Sequence, residues 1–176
     1  MRPWELARAE ALFSHRLLHL ERHHLRRPGG EREALVVRTA DWVNVIPLLA
    51  DGRVLLVRQW RFGIAAPTLE IPGGMVEGED DQAAAERELV EETGYHARTW
   101  RRLGELHPNP AIQGNRITTW LATDLERVGE AEGDGEEEIG VESAPLVEIP
   151  SLIARGEITH SLVVAAFYLL GLETSR

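Results

Sequence analysis

The chain has no cysteine among its 176 residues. That excludes a disulfide framework, a thiolate nucleophile and cysteine metal ligands. It also lacks a long apolar run: the stretch from Val163 to Leu172 is too short to span a bilayer. The N-terminus has no apolar signal-peptide core, and there are no repeats and no low-complexity linker. These absences point to a cytoplasmic protein with no membrane partner. Excess positive charge is missing too. The net charge is −10, which argues against coating a nucleic acid. It does not argue against a small phosphorylated substrate, because a bound cation reverses the local field. The acid is also concentrated, with eight of the 29 acidic residues between Glu126 and Glu142.

What is present is one dense stretch. Gly73, Glu79, Arg87-Glu88-Leu89, Glu91-Glu92 and Gly94-Tyr95 read G-x5-E-x7-R-E-L-x-E-E-x-G-Y. At about 100° per residue, Glu91 and Glu92 fall roughly 60° behind and 40° ahead of Glu88 on a helix. The three carboxylates therefore share one face. Ala84 and Ala85 lie on the same side one turn earlier and leave room for a close approach. Mg²⁺ takes oxygen ligands and fills its shell with water and phosphate oxygens, so such a face suits metal-assisted chemistry on a diphosphate. Gly94 stands where a glycine ends a helix, and Glu79, Asp80 and Asp81 suit its first turn. An E-x-x-E-E cluster alone is usually a solvated face. Nine fixed positions at these spacings, however, match by chance with a probability below roughly 10⁻⁸ per start position.

At these residues the chain resembles the Nudix hydrolase family. The resemblance implies hydrolysis of a nucleoside diphosphate linked to another moiety, with Mg²⁺ or Mn²⁺. It makes Glu88 and Glu92 the principal metal ligands. Glu91 becomes a further ligand or orients the metal water, and Arg87 and Glu79 support the glutamates. One departure concerns the loop. Glu70-Ile71-Pro72-Gly73-Gly74 is followed by four residues, Met75 to Gly78, where many relatives have five. Gly73 or its neighbour then supplies a metal-binding carbonyl.

The rest of the chain is looser. Trp4 to Leu12 reads as a short helix or arm, and Leu17 to Arg26 and Ala34 to Thr39 as strands around a Pro28-Gly29-Gly30 turn. Val43 to Leu49 and Arg53 to Trp60 flank Asp51-Gly52, a hairpin signal, with Pro47 at an edge or bulge. Leu69 to Pro72 is a short strand and Asp80 to Thr93 the helix of the motif. Trp100 to Leu106, Arg116 to Ala122 and Val141 to Glu148 follow as strands. Ser151 to Arg155 and Ser161 to Leu172 close the chain as helices, the last one apolar nearly all round and hence expected to be buried. This order predicts an α/β fold. It resembles the ADP-ribose pyrophosphatase branch, which implies a Nudix-type α/β/α sandwich with a mixed sheet and an N-terminal antiparallel strand layer. Residues 1–40 are expected to form that layer and a homodimer, and 41–176 the catalytic domain.

Arg58 and Arg61 each offer a planar fork for phosphate, and the branch favours Arg61. Glu70 is a candidate for substrate or metal, or a structural carboxylate bonding the glycine loop. In the acidic segment the branch takes a catalytic Glu just before a late strand; Glu137 is the first choice, with Glu136 and Glu138 open. In the branch it resembles, a proline at the place of Pro110, 16 residues past Gly94, implies an ADP-ribose substrate. Asn109, Gln113 and Asn115 are candidates for a sugar, Trp42 and Trp60 for a base. His15, His19, His23 and His24 read as one solvated or dimer-facing strand rather than a zinc site.

Overall fold

The computed structural model describes residues 2–131 and 139–174. The chain divides into two compact units, Met1–Asp41 with Leu106–Ile117, and Trp42–Glu105 with Thr118–Arg176.

The first unit is a three-stranded antiparallel sheet, β1 (Glu5–Ser14), β2 (His19–Arg27) and β3 (Gly30–Arg38), with β2 in the middle. Its first strand corrects the expected helix or arm. The Ala- and Glu-rich sequence has helix propensity, but β1 pairs with β2 along its whole length, from Glu5↔Arg26 to Ser14↔His19, and pairing overrides propensity. Pro28 and Gly29 (φ 91°) make the β2–β3 turn, as a type II turn requires. The four histidines do not share a strand. His15 lies in the β1–β2 connection, where it exchanges backbone hydrogen bonds with Leu18. On β2, His23 Nε2 sits 2.7 Å from Glu21 and His24 Nδ1 3.1 Å from Glu33. Leu6, Leu12, Phe13 and Leu35 of this sheet are exposed. The 106–117 segment joins β3 through Val37 N–H, which donates to the Ile112 carbonyl at 2.8 Å.

The second unit is layered. One sheet runs in the order β7-β4-β9-β8, from β4 (Trp42–Pro47), β7 (Gly73–Met75), β8 (Tyr95–Leu106) and β9 (Ile117–Arg127). The other runs β10-β5-β6, from β5 (Arg53–Arg61), β6 (Ala66–Glu70) and β10 (Gly140–Pro145). Helix α1 (Asp81–Thr93) covers one face of the four-stranded sheet. There Ala84, Ala85 and Leu89 pack on Val43, Val45, Trp120 and Ala122. Side chains alternate along a strand, so Ile46 and Leu121 point to the opposite face. They meet Val54, Leu56 and Leu69 of the second sheet, Ile71 just past β6, and Leu152, Val163, Ala166 and Leu170 of α2 (Ile149–Ala154) and α3 (Ser161–Thr174). This is the expected α/β/α sandwich. Among the described residues, no helix is long and apolar enough to cross a membrane.

Three local expectations change. The Asp51-Gly52 turn forms, with Gly52 at φ 81° and its N–H on the Leu49 carbonyl at 3.0 Å. Its two strands nevertheless enter different sheets and pair as β-structure through one bridge, Leu48↔Val54. Pro47 is not on an edge strand: β4 lies between β7 and β9. The proline instead ends the strand, where its missing N–H costs no ladder bond. Helix α3 is buried on one side only, and Tyr168 and Leu172 stand exposed.

Helix α1 has clear ends. The Asp80 carboxylate accepts from Ala83 N–H at 2.9 Å, a side-chain N-cap. At the other end Gly94 adopts φ 73° and donates to the Val90 carbonyl at 2.8 Å. A Cβ at Gly94 would strike the Gly129 carbonyl and lie 2.9 Å from the Glu130 carbonyl carbon. Gly94→Ala is therefore expected to cost about 2 kcal/mol or more, a Tm loss of about 4 °C or more. Thermal denaturation measures this against Gly63→Ala, where a Cβ meets open space.

Candidate active site

The second unit gathers the acidic motif at the C-terminal half of α1. Glu88 and Glu92, one turn apart, are 9% and 8% exposed, while Glu91 lies nearer solvent, its side chain 44% exposed. Glu88 and Glu92 therefore face inward and Glu91 flanks them.

Arg87 is the hub. Its Nη1 donates to Glu88 Oε1 at 2.8 Å and to Glu91 Oε2 at 3.0 Å. Its Nη2 donates to Glu79 Oε1 at 3.0 Å and to the Met75 carbonyl at 2.8 Å. One guanidinium thus ties the helix to the loop that precedes it, and the neighbouring carboxylates keep it charged. Glu79 sits below its ordinary pKa, held there by its own backbone N–H and by Arg87.

Close approach of backbone requires Gly73, and Gly74 lies against a side chain. Gly73 and Gly74 belong to β7, a strand with no signal in the sequence, which pairs Asn44↔Gly73 and Val43↔Gly74 with β4. A Cβ on Gly73 would strike the Val43 carbonyl and lie 2.9 Å from Asn44 Cα, and one on Gly74 would strike the Glu88 carboxylate. Gly73 N–H donates to Glu92 Oε2 at 3.0 Å. The loop places Gly73 on Glu92 and Gly74 against Glu88.

Burial raises both inner acids. It pushes Glu92 up to about 8, against the Gly73 hydrogen bond and with the Glu88 charge adding to the rise. Burial also raises Glu88, and Arg87 opposes it. Two buried acids short of compensating positive charge form an all-oxygen donor set that fits a hard divalent cation. The Arg87 and Gly73 hydrogen bonds engage one oxygen of each and leave Glu88 Oε2 and Glu92 Oε1 to offer. Among the described residues no three acids or histidines already converge as a metal cage, because Arg87 stands between Glu88 and Glu91.

The two candidate arginines separate. They lie three apart on β5, so they point to opposite faces. Arg58 pairs with Glu142 of β10, its Nη2 3.2 Å from Oε2, and holds that acid below its ordinary value. Arg61 is bound by Glu70: Nε to Oε1 at 2.8 Å and Nη2 to Oε2 at 2.7 Å. Arg61 also draws the Glu92 carboxyl downward electrostatically. Glu70 bonds Arg61 and Thr68. Thr68 is a residue that the sequence reading does not single out; its hydroxyl donates to Glu70 Oε1 at 2.6 Å. The available signal is the alternation of polar residues at 68 and 70 with Leu69 and Ile71.

The remaining candidates are scattered. Trp60 is 46% exposed on the Arg58 face. Asn109, Pro110, Gln113 and Asn115 belong to the first unit, where the Asn109 carbonyl accepts from Gln113 N–H at 2.8 Å. Asn115 is buried there with neither side-chain polar atom partnered. Glu136, Glu137 and Glu138 lie outside the described residues.

Comparison with known proteins gives the family. Residues 38–167 match the model of the NUDIX domain. An ADP-ribose pyrophosphatase of Mycobacterium tuberculosis is 32% identical over 168 residues, 92% of this chain and 80% of that protein. An ADP-ribose pyrophosphatase of Bacillus subtilis is 27% identical, over 93% of this chain and 90% of that protein. The crystal structure of an ADP compounds hydrolase superposes with a TM-score of 0.86 at 24% identity, covering 99% of this chain and 96% of that one, a likeness that shows the fold. With its motif intact and most of its length matched, the chain belongs to the NUDIX family of hydrolases.

Proposed function

We propose that the chain is a Mg²⁺-dependent pyrophosphohydrolase of nucleoside diphosphate sugars, with ADP-ribose as its preferred substrate and AMP and ribose 5-phosphate as products. Mn²⁺ is expected to substitute for Mg²⁺. The observation that carries this reading is the pair Glu88 and Glu92, buried one turn apart against the Gly73-Gly74 backbone. The names of the M. tuberculosis and B. subtilis relatives support the choice of substrate.

In this reading Glu88, Glu92 and a loop carbonyl at Gly73 hold the cation, with Glu91 assisting. When bound, the cation polarises the diphosphate and lowers the pKa of a water. The protein residues do the remaining work. Arg87 fixes the carboxylates relative to the loop. Arg61 offsets charge on the diphosphate. Arg58, on the other face of β5, belongs to the strand pair with β10 rather than to the phosphate site. Glu137 accepts the proton of the attacking water, an assignment that rests on the sequence alone. The exposed Phe13 and Leu35, whose partners Leu20 and Arg22 set them on one face of the N-terminal sheet, support a homodimer formed through residues 1–40, since exposed apolar surface marks interfaces.

Glu88→Gln and Glu92→Gln are each expected to lower kcat/KM for ADP-ribose with Mg²⁺ at least roughly 100-fold. Unchanged turnover in either variant refutes the reading, and a panel with GDP-mannose and NADH tests the substrate. Among Glu136→Gln, Glu137→Gln and Glu138→Gln, the second should lose most kcat. A further outcome follows from the Glu92 pKa of about 8. Below that value the metal-free carboxyl is protonated, yet a ligand must be charged. Mg²⁺ binding at pH 7 should therefore release close to one proton, and affinity should rise with pH and level off above about 8. Titration calorimetry in buffers of different ionisation enthalpy measures this release, which Glu92→Gln should abolish.

A further inference from the structure

Glu70 is too deeply set to meet a ligand as the structure stands: its side chain is 3% exposed, against 39% for Arg61. The two form a parallel fork at 2.8 and 2.7 Å. Such a fork fixes the plane of a guanidinium, not only its distance. Thr68 fixes Glu70 in turn through its hydroxyl at 2.6 Å. All three side chains stand on one face of the β5–β6 pair, whose register sets Gln59 opposite Thr68 and Val57 opposite Glu70. Burial pulls the Glu70 carboxyl upward, but the bonds from Arg61 and Thr68 outweigh it and keep the acid charged. The pair reaches the acidic cluster electrostatically, Arg61 lowering Glu92 and Glu70 raising it.

We propose that Glu70 is a positioning residue for the diphosphate site: it holds the Arg61 guanidinium in one orientation, and Thr68 holds Glu70. This rests on the reading of Arg61 as the phosphate-binding arginine. The cost of ordering a long side chain then falls on folding and not on substrate binding. Glu70 itself makes no contact with substrate.

The test has a spectroscopic and a kinetic arm. In the metal-free wild type, the Arg61 Nε–H should give a resolved, slowly exchanging signal in side-chain ¹⁵N spectra. The signal should broaden or vanish in Glu70→Gln and weaken in Thr68→Val, a milder change that keeps the shape of the strand. Equal signals in all three proteins overturn the proposal, whatever the substrate proves to be. With ADP-ribose and Mg²⁺, Glu70→Gln should raise KM roughly tenfold and leave kcat within about threefold. Thr68→Val should move KM the same way by less. The decisive comparison is with Arg61→Ala: adding Glu70→Gln to it should change KM by less than about twofold, because residues that act through one another are not additive. A full tenfold loss on that background means that Glu70 touches substrate directly, and the proposal fails. If the wild type turns over no nucleoside diphosphate, the functional reading fails and the signal of Arg61 still decides the role of Glu70.

Discussion

The Arg87 guanidinium binds Glu88 and Glu91 of its own helix, Glu79 from the preceding loop and the Met75 carbonyl. Helix and loop are thereby held at one distance. That distance lets the Gly74 backbone lie against the Glu88 carboxylate and the Gly73 amide reach Glu92. Without the guanidinium, three carboxylates within one and a half helical turns would repel one another and the loop would lose its anchor. A lysine is a poor replacement, since its point charge cannot serve four acceptors from a planar fork.

The cluster remains costly even so. Glu92 receives a single backbone hydrogen bond and is almost fully buried, and its pKa rises to about 8. Burial of an acid without a matching charge is unfavourable, and such perturbed groups gather at functional sites. Glu70, buried more deeply still, moves the other way because Arg61 and Thr68 both bond it. Both acids are buried, and they differ in their partners. One is satisfied by the chain itself and the other is left short of positive charge.

Much of this is legible in the sequence, and for identifiable reasons. The motif spacing locates α1 to within a residue, because Asp80 and Gly94 carry cap chemistry at both ends. It also puts Glu88, Glu91 and Glu92 on one side. Depth is not legible: helical angle does not say that Glu91 faces outward when Glu88 and Glu92 face in. β1 escapes sequence reading because its local propensity is helical and only pairing with β2 makes it a strand. Helix α3 reads as buried because composition cannot show which side lacks a partner. Motif resemblance points to Arg61, yet the binding of that side chain to Glu70 depends on the β5–β6 register, which no local pattern reveals. The separation of Arg58 from Arg61, by contrast, needs only the period-two alternation of a strand: residues three apart face opposite ways.

The Asp51-Gly52 turn links β4 of one sheet to β5 of the other, and the Gly52 carbonyl also accepts from Leu146 N–H at 3.0 Å beyond β10. Most hairpin tips are permissive places where evolution inserts residues freely. This one is a hinge pin shared by two sheets, and its length is part of the spacing between them. Diversity among descendants of this chain should therefore accumulate at other loops, while this short corner keeps its length.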